Sequence, residues 1–301
     1  MAVHRDDAAT FRQDPSRSIE KFIKSMVRVS LENSLFLIDD SPIFDEPLVG
    51  FADGDDPLFS DFKRIIGPWH LTPREVLEKT LESFSSSMAH EIEHISVVCW
   101  ALPISAGTIE SNAVQKEEPS ERWAHTRDYG EQFNESLRIA VEALLADQGC
   151  VAVAPMLSPL WSRHRDEATG LSSNWSERHA LYVAGMGTFG LSDGLITPRG
   201  MAMRCGSVVV DLKLPPTPRE YHAHTDYCPF FTDGSCRACI DRCPAGAITA
   251  KGHDKNKCRT YMREGLQGLP ERYGTEAIGY AGCGLCQTGV PCEWRIPPAA
   301  S

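Results

Sequence analysis

No stretch of this chain approaches the roughly 18 consecutive apolar residues that a membrane-spanning helix requires, so no membrane partner is expected. The segment from Met1 to Asp14 has no apolar core and no twin-arginine pair, and it does not read as an export signal. Positive charge is scarce. Thirty Lys and Arg stand against 41 Asp and Glu, for a net charge of −11, which argues against a phosphate backbone as partner. What the chain has in quantity is cysteine: eleven in 301 residues, eight of them between Cys228 and Cys292. Disulfide-stapled domains are exported and small. These cysteines are therefore read as thiolates in a reducing compartment, the cytoplasm.

Hydrophobic periodicity organises the first two thirds. Ile19, Phe22, Ile23, Met26 and Val27 recur at helical spacing and predict a helix over 16–29. From Asp39 to about Gly67 an acidic segment punctuated by Pro42, Pro47 and Pro57 reads as an irregular loop packed on the body. A lid, a dimer contact and a docking face all suit it, and the sequence leaves these open together with the oligomeric state, a homodimer included. Thr72-Pro73-Arg74-Glu75 has the form of a capping box and starts a helix running to about Met88. Strands are expected over 95–102, 150–157 and 205–212, and helices over 121–147 and 176–184. Strands alternating with helices predict an α/β or α+β layer around a buried sheet. The proline-rich joint Pro215 to Pro218 divides the chain into domains 1–214 and 215–301.

The second domain carries the most specific signal. Cys236-x2-Cys239-x3-Cys243-Pro244 is the core of the bacterial ferredoxin signature, in which closely spaced thiolates hold one cubane and the cysteine before proline ligates a second. Where the first cysteine of that signature would stand, this chain has Asp233. Cys228 is the expected replacement, since iron–sulfur clusters favour soft thiolate donors over carboxylate. With Cys258 and Cys283-x2-Cys286-x5-Cys292 the total is eight, the demand of two 4Fe-4S clusters. Cross-ligation assigns Cys228, Cys236, Cys239 and Cys292 to cluster 1, and Cys243, Cys258, Cys283 and Cys286 to cluster 2. Two four-thiolate zinc sites are the alternative, though zinc modules favour paired C-x2-C knuckles without the C-x3-C-P step. Cys99, Cys150 and Cys205 read as small buried hydrophobes.

Upstream of the cysteines, Glu177-Arg178-His179-Ala180 leads into Ala184-Gly185-Met186-Gly187-Thr188-Phe189-Gly190, and Asp211-Leu212 follows. This order resembles the epoxyqueuosine reductases and, more distantly, the reductive dehalogenases, over roughly residues 173–295. Both are cobalamin-dependent iron–sulfur reductases. The resemblance implies a nitroreductase-like corrinoid-binding layer followed by a ferredoxin-like module with two 4Fe-4S clusters. It implies that Gly185, Gly187, Thr188 and Gly190 form a tight loop against the corrinoid, where missing side chains permit close approach. A dinucleotide fingerprint is set aside, because this G-x-G-x-x-G follows a helix and not a strand. No histidine motif for axial ligation is evident, and the family holds its corrinoid without one. Tyr182, Glu177 and Arg178 are the candidate catalytic residues, with His179 and His164 nearby.

Two departures bear on the substrate. Epoxyqueuosine reductases place an acidic proton donor about six residues before the glutamate matching Glu177, a region that here reads Leu171-Ser172-Ser173-Asn174. The further helical segment with which they help hold tRNA has no counterpart after Cys292. A tRNA substrate is therefore not expected. The function that follows is a cobalamin-dependent reductase of a small molecule, fed one electron at a time by a ferredoxin or flavodoxin. The alternatives are a corrinoid-binding or reactivating electron-transfer protein, and a double-cluster reductase that uses flavin.

Overall fold

A computed structural model describes residues 11–83, 92–166, 170–275 and 282–298. Helix α1 (Pro15–Val29) begins as its sequence dictates. The Asp14 carboxylate accepts the Arg17 amide, Pro15 fills the first turn, and Ile19, Ile23 and Val27 are buried along one stripe. There follow β1 (Leu48–Asp53), α2 (Pro57–Ile65), α3 (Pro73–Ser83), β2 (Ser96–Pro103), α4 (Ala106–Ala113) and α5 (Glu121–Asp147). Next come β3 (Ala152–Val153), the hairpin β4 (Arg163–Asp166) and β5 (Gly170–Ser173), α6 (Glu177–Val183), the two-residue pair β6 (Thr188–Phe189) and β7 (Leu195–Ile196), and β8 (Met203–Val210).

The principal sheet is antiparallel with strand order β1-β2-β8-β3. All eight residues of β2 are buried, because helices cover both faces of the sheet. Alternate side chains enter two separate cores. Val98, Trp100 and Leu102 pack with Ile19 and Ile23 of α1 and with Phe133, Leu137 and Val141 of α5. Val97, Cys99 and Ala101 pack with Phe59 of α2, Val76 of α3 and Leu181 of α6. Each large side chain so buried contributes roughly 1.5–3 kcal/mol.

Helix α3 confirms the capping box, with the Thr72 amide donating to Glu75 Oε2 at 2.8 Å and the Glu75 amide to Thr72 Oγ1 at 3.3 Å. The expected continuation to Met88 lies outside the described residues. Two expectations are corrected. The acidic segment is not irregular: it supplies edge strand β1 and helix α2, and Pro57 starts that helix in the first turn, where a missing amide costs nothing. The strand expected over 150–157 is only two residues long, since from Ala154 the backbone turns, the amides of Leu157 and Ser158 donating back to its carbonyl.

The cysteine-rich part is built from shorter pieces: α7 (Pro229–Thr232), α8 (Ala238–Asp241), a hairpin of β9 (Ile248–Thr249) and β10 (Gly252–His253), α9 (Lys255–Thr260) and α10 (Leu269–Tyr273). Among the described residues no helix is long and apolar enough to cross a membrane.

Candidate functional site

The eight C-terminal cysteines gather around two spaces. Cys228, Cys236, Cys239 and Cys292 line a small cavity of about 20 Å³. Cys243, Cys258, Cys283 and Cys286 line a second of about 260 Å³. Local structure explains how distant thiols meet. Cys228 caps α7, Cys239 lies within α8 and Cys258 within α9. The Arg242 side chain, next to Cys243, donates to the carbonyls of Thr288 at 3.0 Å, Leu285 at 3.3 Å and Gln115 at 2.8 Å. It thus ties the first cysteine run to the last and both to the body. Gly284, inside Cys283-x2-Cys286, has φ +64°, and a Cβ there would lie 2.0 Å from the Trp123 indole. Only glycine fits that turn.

Burial, reinforced by neighbouring thiols, pushes Cys239 up to about 11 and Cys292 up to about 12. Cys286 is raised by the same two causes. A thiol so raised resists ionising unless positive charge sits beside it. Asp233 is exposed, accepts the Ser235 amide at 2.8 Å, and does not line the first cavity.

The second cysteine cavity adjoins a larger one of about 1100 Å³ between β8, α5 and α6, and Arg127, Arg178, Met203 and Arg204 line both. Glu177 borders the larger space with its carboxylate engaged: Arg138 Nε donates at 3.3 Å, and the Ser207 hydroxyl donates as well. Burial raises the Glu177 carboxyl, while the Arg138 charge opposes that shift. Arg138, 2% exposed, also pairs with Glu131 Oε1 at 3.0 Å and donates to the Cys205 carbonyl at 2.9 Å. Arg178 points into both cavities and a third. That third space, about 830 Å³, also receives Tyr182, His179 and Phe189. The three candidate catalytic residues therefore do not converge. Glu177 and Tyr182 open onto different spaces, and only Arg178 reaches both.

The glycine loop departs further from expectation. Gly185, Gly187 and Thr188 line none of the cavities described here. A Cβ on Gly187 would lie 2.2 Å from the Ile196 carbonyl oxygen, and one on Gly185 2.5 Å from that of Pro218. Protein backbone fills the space that their missing side chains leave; Thr188 is buried and its hydroxyl accepts the Tyr227 amide. Gly190 alone reaches cavities, the first cysteine space and the 830 Å³ space. Of the remaining cysteines, Cys99 is buried in the core, Cys150 is half-buried, and Cys205 borders the large cavity, its thiol pushed up to about 12 by burial. Sequence reasoning missed Arg127, Glu131, Arg138 and Arg204. Arg138 carried a signal: it interrupts the buried stripe Phe133, Leu137, Val141, Leu145 of α5.

Comparison with known proteins matches residues 234–294 to the 4Fe-4S double cluster binding domain family. That match contains seven of the eight cysteines and leaves Cys228 just outside. The chain carries a double 4Fe-4S cluster domain. A segment of 121 residues is 36% identical to an epoxyqueuosine reductase of Bacillus anthracis, covering 38% of this chain and 29% of the relative. A longer segment of 177 residues is 26% identical to an epoxyqueuosine reductase of Leadbetterella byssophila, covering 58% of this chain and 51% of that protein. The chain thus matches at most about half the length of these relatives. Among solved structures, a selenomethionine-labelled epoxyqueuosine reductase aligns with 95% of this chain and 66% of its own at 16% identity and a TM-score of 0.49. The segment Leu171-Ser172-Ser173, on β5, lines the 830 Å³ space and carries no carboxylate.

Proposed function

We propose that this protein is a cobalamin-dependent iron–sulfur oxidoreductase that reduces a small molecule in the cytoplasm, with electrons arriving singly from a ferredoxin or flavodoxin. The observation that carries this reading is the adjacency of spaces: a four-cysteine cavity opens, across Arg127, Arg178, Met203 and Arg204, onto a cavity large enough for a cofactor. Cluster 1 takes Cys228, Cys236, Cys239 and Cys292, and cluster 2 takes Cys243, Cys258, Cys283 and Cys286. Hydrogen bonds to the sulfurs tune their potentials. The Ala247 amide donates to Cys243 Sγ at 3.3 Å.

The larger cavity suits a corrinoid. Its volume matches or exceeds the roughly 300–1,000 Å³ of ordinary ligand pockets. The Trp161 indole N–H, buried on its wall, has no hydrogen-bond partner among the described residues. An amide-fringed macrocycle supplies acceptors for such a donor. Trp161 and Met203 would hold it. When bound, it supplies a reducible cobalt centre, chemistry that no side chain provides. The chain's own groups bind, orient and exclude water. Glu177 and Glu131 hold Arg138 against the sheet and so fix the floor of the cavity, while Arg178 faces the bound molecule. The net charge of −11 favours a small substrate over a long polyanion.

Anaerobic purification with and without added cobalamin tests the reading. The expected result is about eight iron atoms per chain, near-stoichiometric cobalt and a cob(II)alamin spectrum. Flavin in place of cobalt would sink it, and so would turnover of tRNA with no small molecule reduced. Cys228→Ala is expected to remove one cluster's iron; unchanged iron content would return Asp233 to the ligand set.

A further inference from the structure

The walls of the large cavity hold six arginines against four carboxylates, an excess of two positive charges in a protein whose net charge is −11. The excess concentrates at one point. Arg127, Arg178 and Arg204 all stand where the large cavity meets the Cys243–Cys286 space. Arg204, on β8, is the most constrained of the three. Among the described residues its Nε is buried without a hydrogen-bond partner, and its Nη2 donates to the Arg127 carbonyl at 3.4 Å. The nearest carboxylate oxygen, Glu131 Oε2, lies 3.9 Å away, and Glu131 already takes Arg138 at 3.0 Å. Burial and the neighbouring Arg127 charge together make the Arg204 guanidinium costly in its present surroundings. Arg178 is exposed into the same space. Three guanidiniums grouped at one point, with one Arg204 donor unused, match the planar, bidentate acceptor geometry of oxyanions.

We propose that Arg127, Arg178 and Arg204 bind one anionic group, a phosphate or a carboxylate, at the neck between the two cavities. The anion belongs to the molecule seated in the large cavity, and the inference rests on the functional reading above only for the identity of that molecule. Two sources share the chemistry: a phosphate or carboxylate of the substrate, and the nucleotide phosphodiester of cobalamin itself.

The test uses cluster-loaded protein and calorimetric titration with inorganic phosphate and with benzoate, in the absence of corrinoid. Saturable binding of at least one probe is expected, weakened about tenfold or more in Arg178→Gln and in Arg204→Gln. It should be unchanged in Arg199→Gln, whose guanidinium pairs with Asp45 at the surface. Arg178 is exposed, so its variant stays informative even if the β8 substitution disturbs folding. Binding of neither probe, or binding that both neck variants leave intact, overturns the proposal. A second arm compares cobalamin with cobinamide, which lacks the nucleotide phosphate. A loss in Arg178→Gln confined to cobalamin assigns the site to the cofactor's phosphodiester. No loss for either corrinoid assigns it to the substrate. An equal loss for both overturns the proposal, because the arginines would then be holding the macrocycle. Failure of any corrinoid to bind counts against the functional reading alone and leaves the phosphate and benzoate titrations to decide.

Discussion

The body and the cysteine-rich end of this chain are stabilised by different physics. In the body, β2 buries every residue, and two apolar cores pack on opposite faces of one sheet. Among the described residues of the C-terminal end the longest α-helix has six residues, and the core around the first cysteine group holds six buried side chains. Three of those six, Leu191, Ile196 and Met201, precede the Pro215–Pro218 joint and so belong to the body. A segment this poor in apolar burial relies on its metal centres and on its neighbour for a fixed structure. The comparison teaches that the redox module is ordered from outside as much as from within.

The sharpest way to break the comparison is to remove iron. Chelation under oxidising conditions is expected to abolish amide-exchange protection from Cys228 to Cys292 while β2 and β8 stay protected. Uniform loss in both parts would show that the body depends on the clusters too. Next in size is Arg138→Ala, which strands Glu131 and Glu177 without their shared cation. Removing one partner of a buried pair costs about 3–5 kcal/mol, read as a lower urea midpoint at constant slope.

Acid tests the body alone. Burial, then the Lys63 charge, depresses His70 to about 4, and burial, then His70, depresses His179 to about 3. Both are held neutral in the fold, whereas the unfolded chain protonates them near 6.5. The unfolded state therefore binds more protons, and stability falls as pH drops from about 6.5 towards 4, by up to ~1.4 kcal/mol per pH unit for each histidine. His70→Phe should flatten that slope. Among the described residues both ring nitrogens of His70 lack hydrogen-bond partners, and the ring already stacks on Trp175 at 6.1 Å. An unchanged slope by thermal denaturation would place the acid sensitivity elsewhere. The smallest effect is Gly206→Ala. Its Cβ would lie 2.3 Å from the Trp100 indole, and overpacking of that kind costs about 1–3 kcal/mol.

The same division governs how much could be read in advance. Helix α5 was legible to its ends, because Ser120 caps it and Gly149 follows it. Strands β2 and β8 were legible as apolar runs of the right length. The acidic segment was not, because its prolines argue against regular structure until one sees that Pro57 occupies a first turn. Cysteine spacing announced an iron–sulfur module. The grouping around the large cavity was not legible, since Arg127, Glu131 and Arg138 come from one helix and Arg204 from a strand some 70 residues on, and only packing joins them. The glycine loop was ambiguous for a related reason. A glycine reports that something comes close, but not whether it is a ligand or the Ile196 carbonyl.

The proline joint does more than connect. Strand β1 is an edge of the sheet, and the bare backbone of such an edge is a template on which other chains can aggregate. Here the Phe51 amide donates to Thr217 Oγ1, and the Phe51 carbonyl accepts the Thr217 amide, both at 2.9 Å. Thr217 thus occupies the site where a foreign strand would begin to pair. Pro215, Pro216 and Pro218 have no amide hydrogens to offer, so the joint cannot serve as a new edge in its turn. A segment that reads as a spacer protects the sheet from self-association.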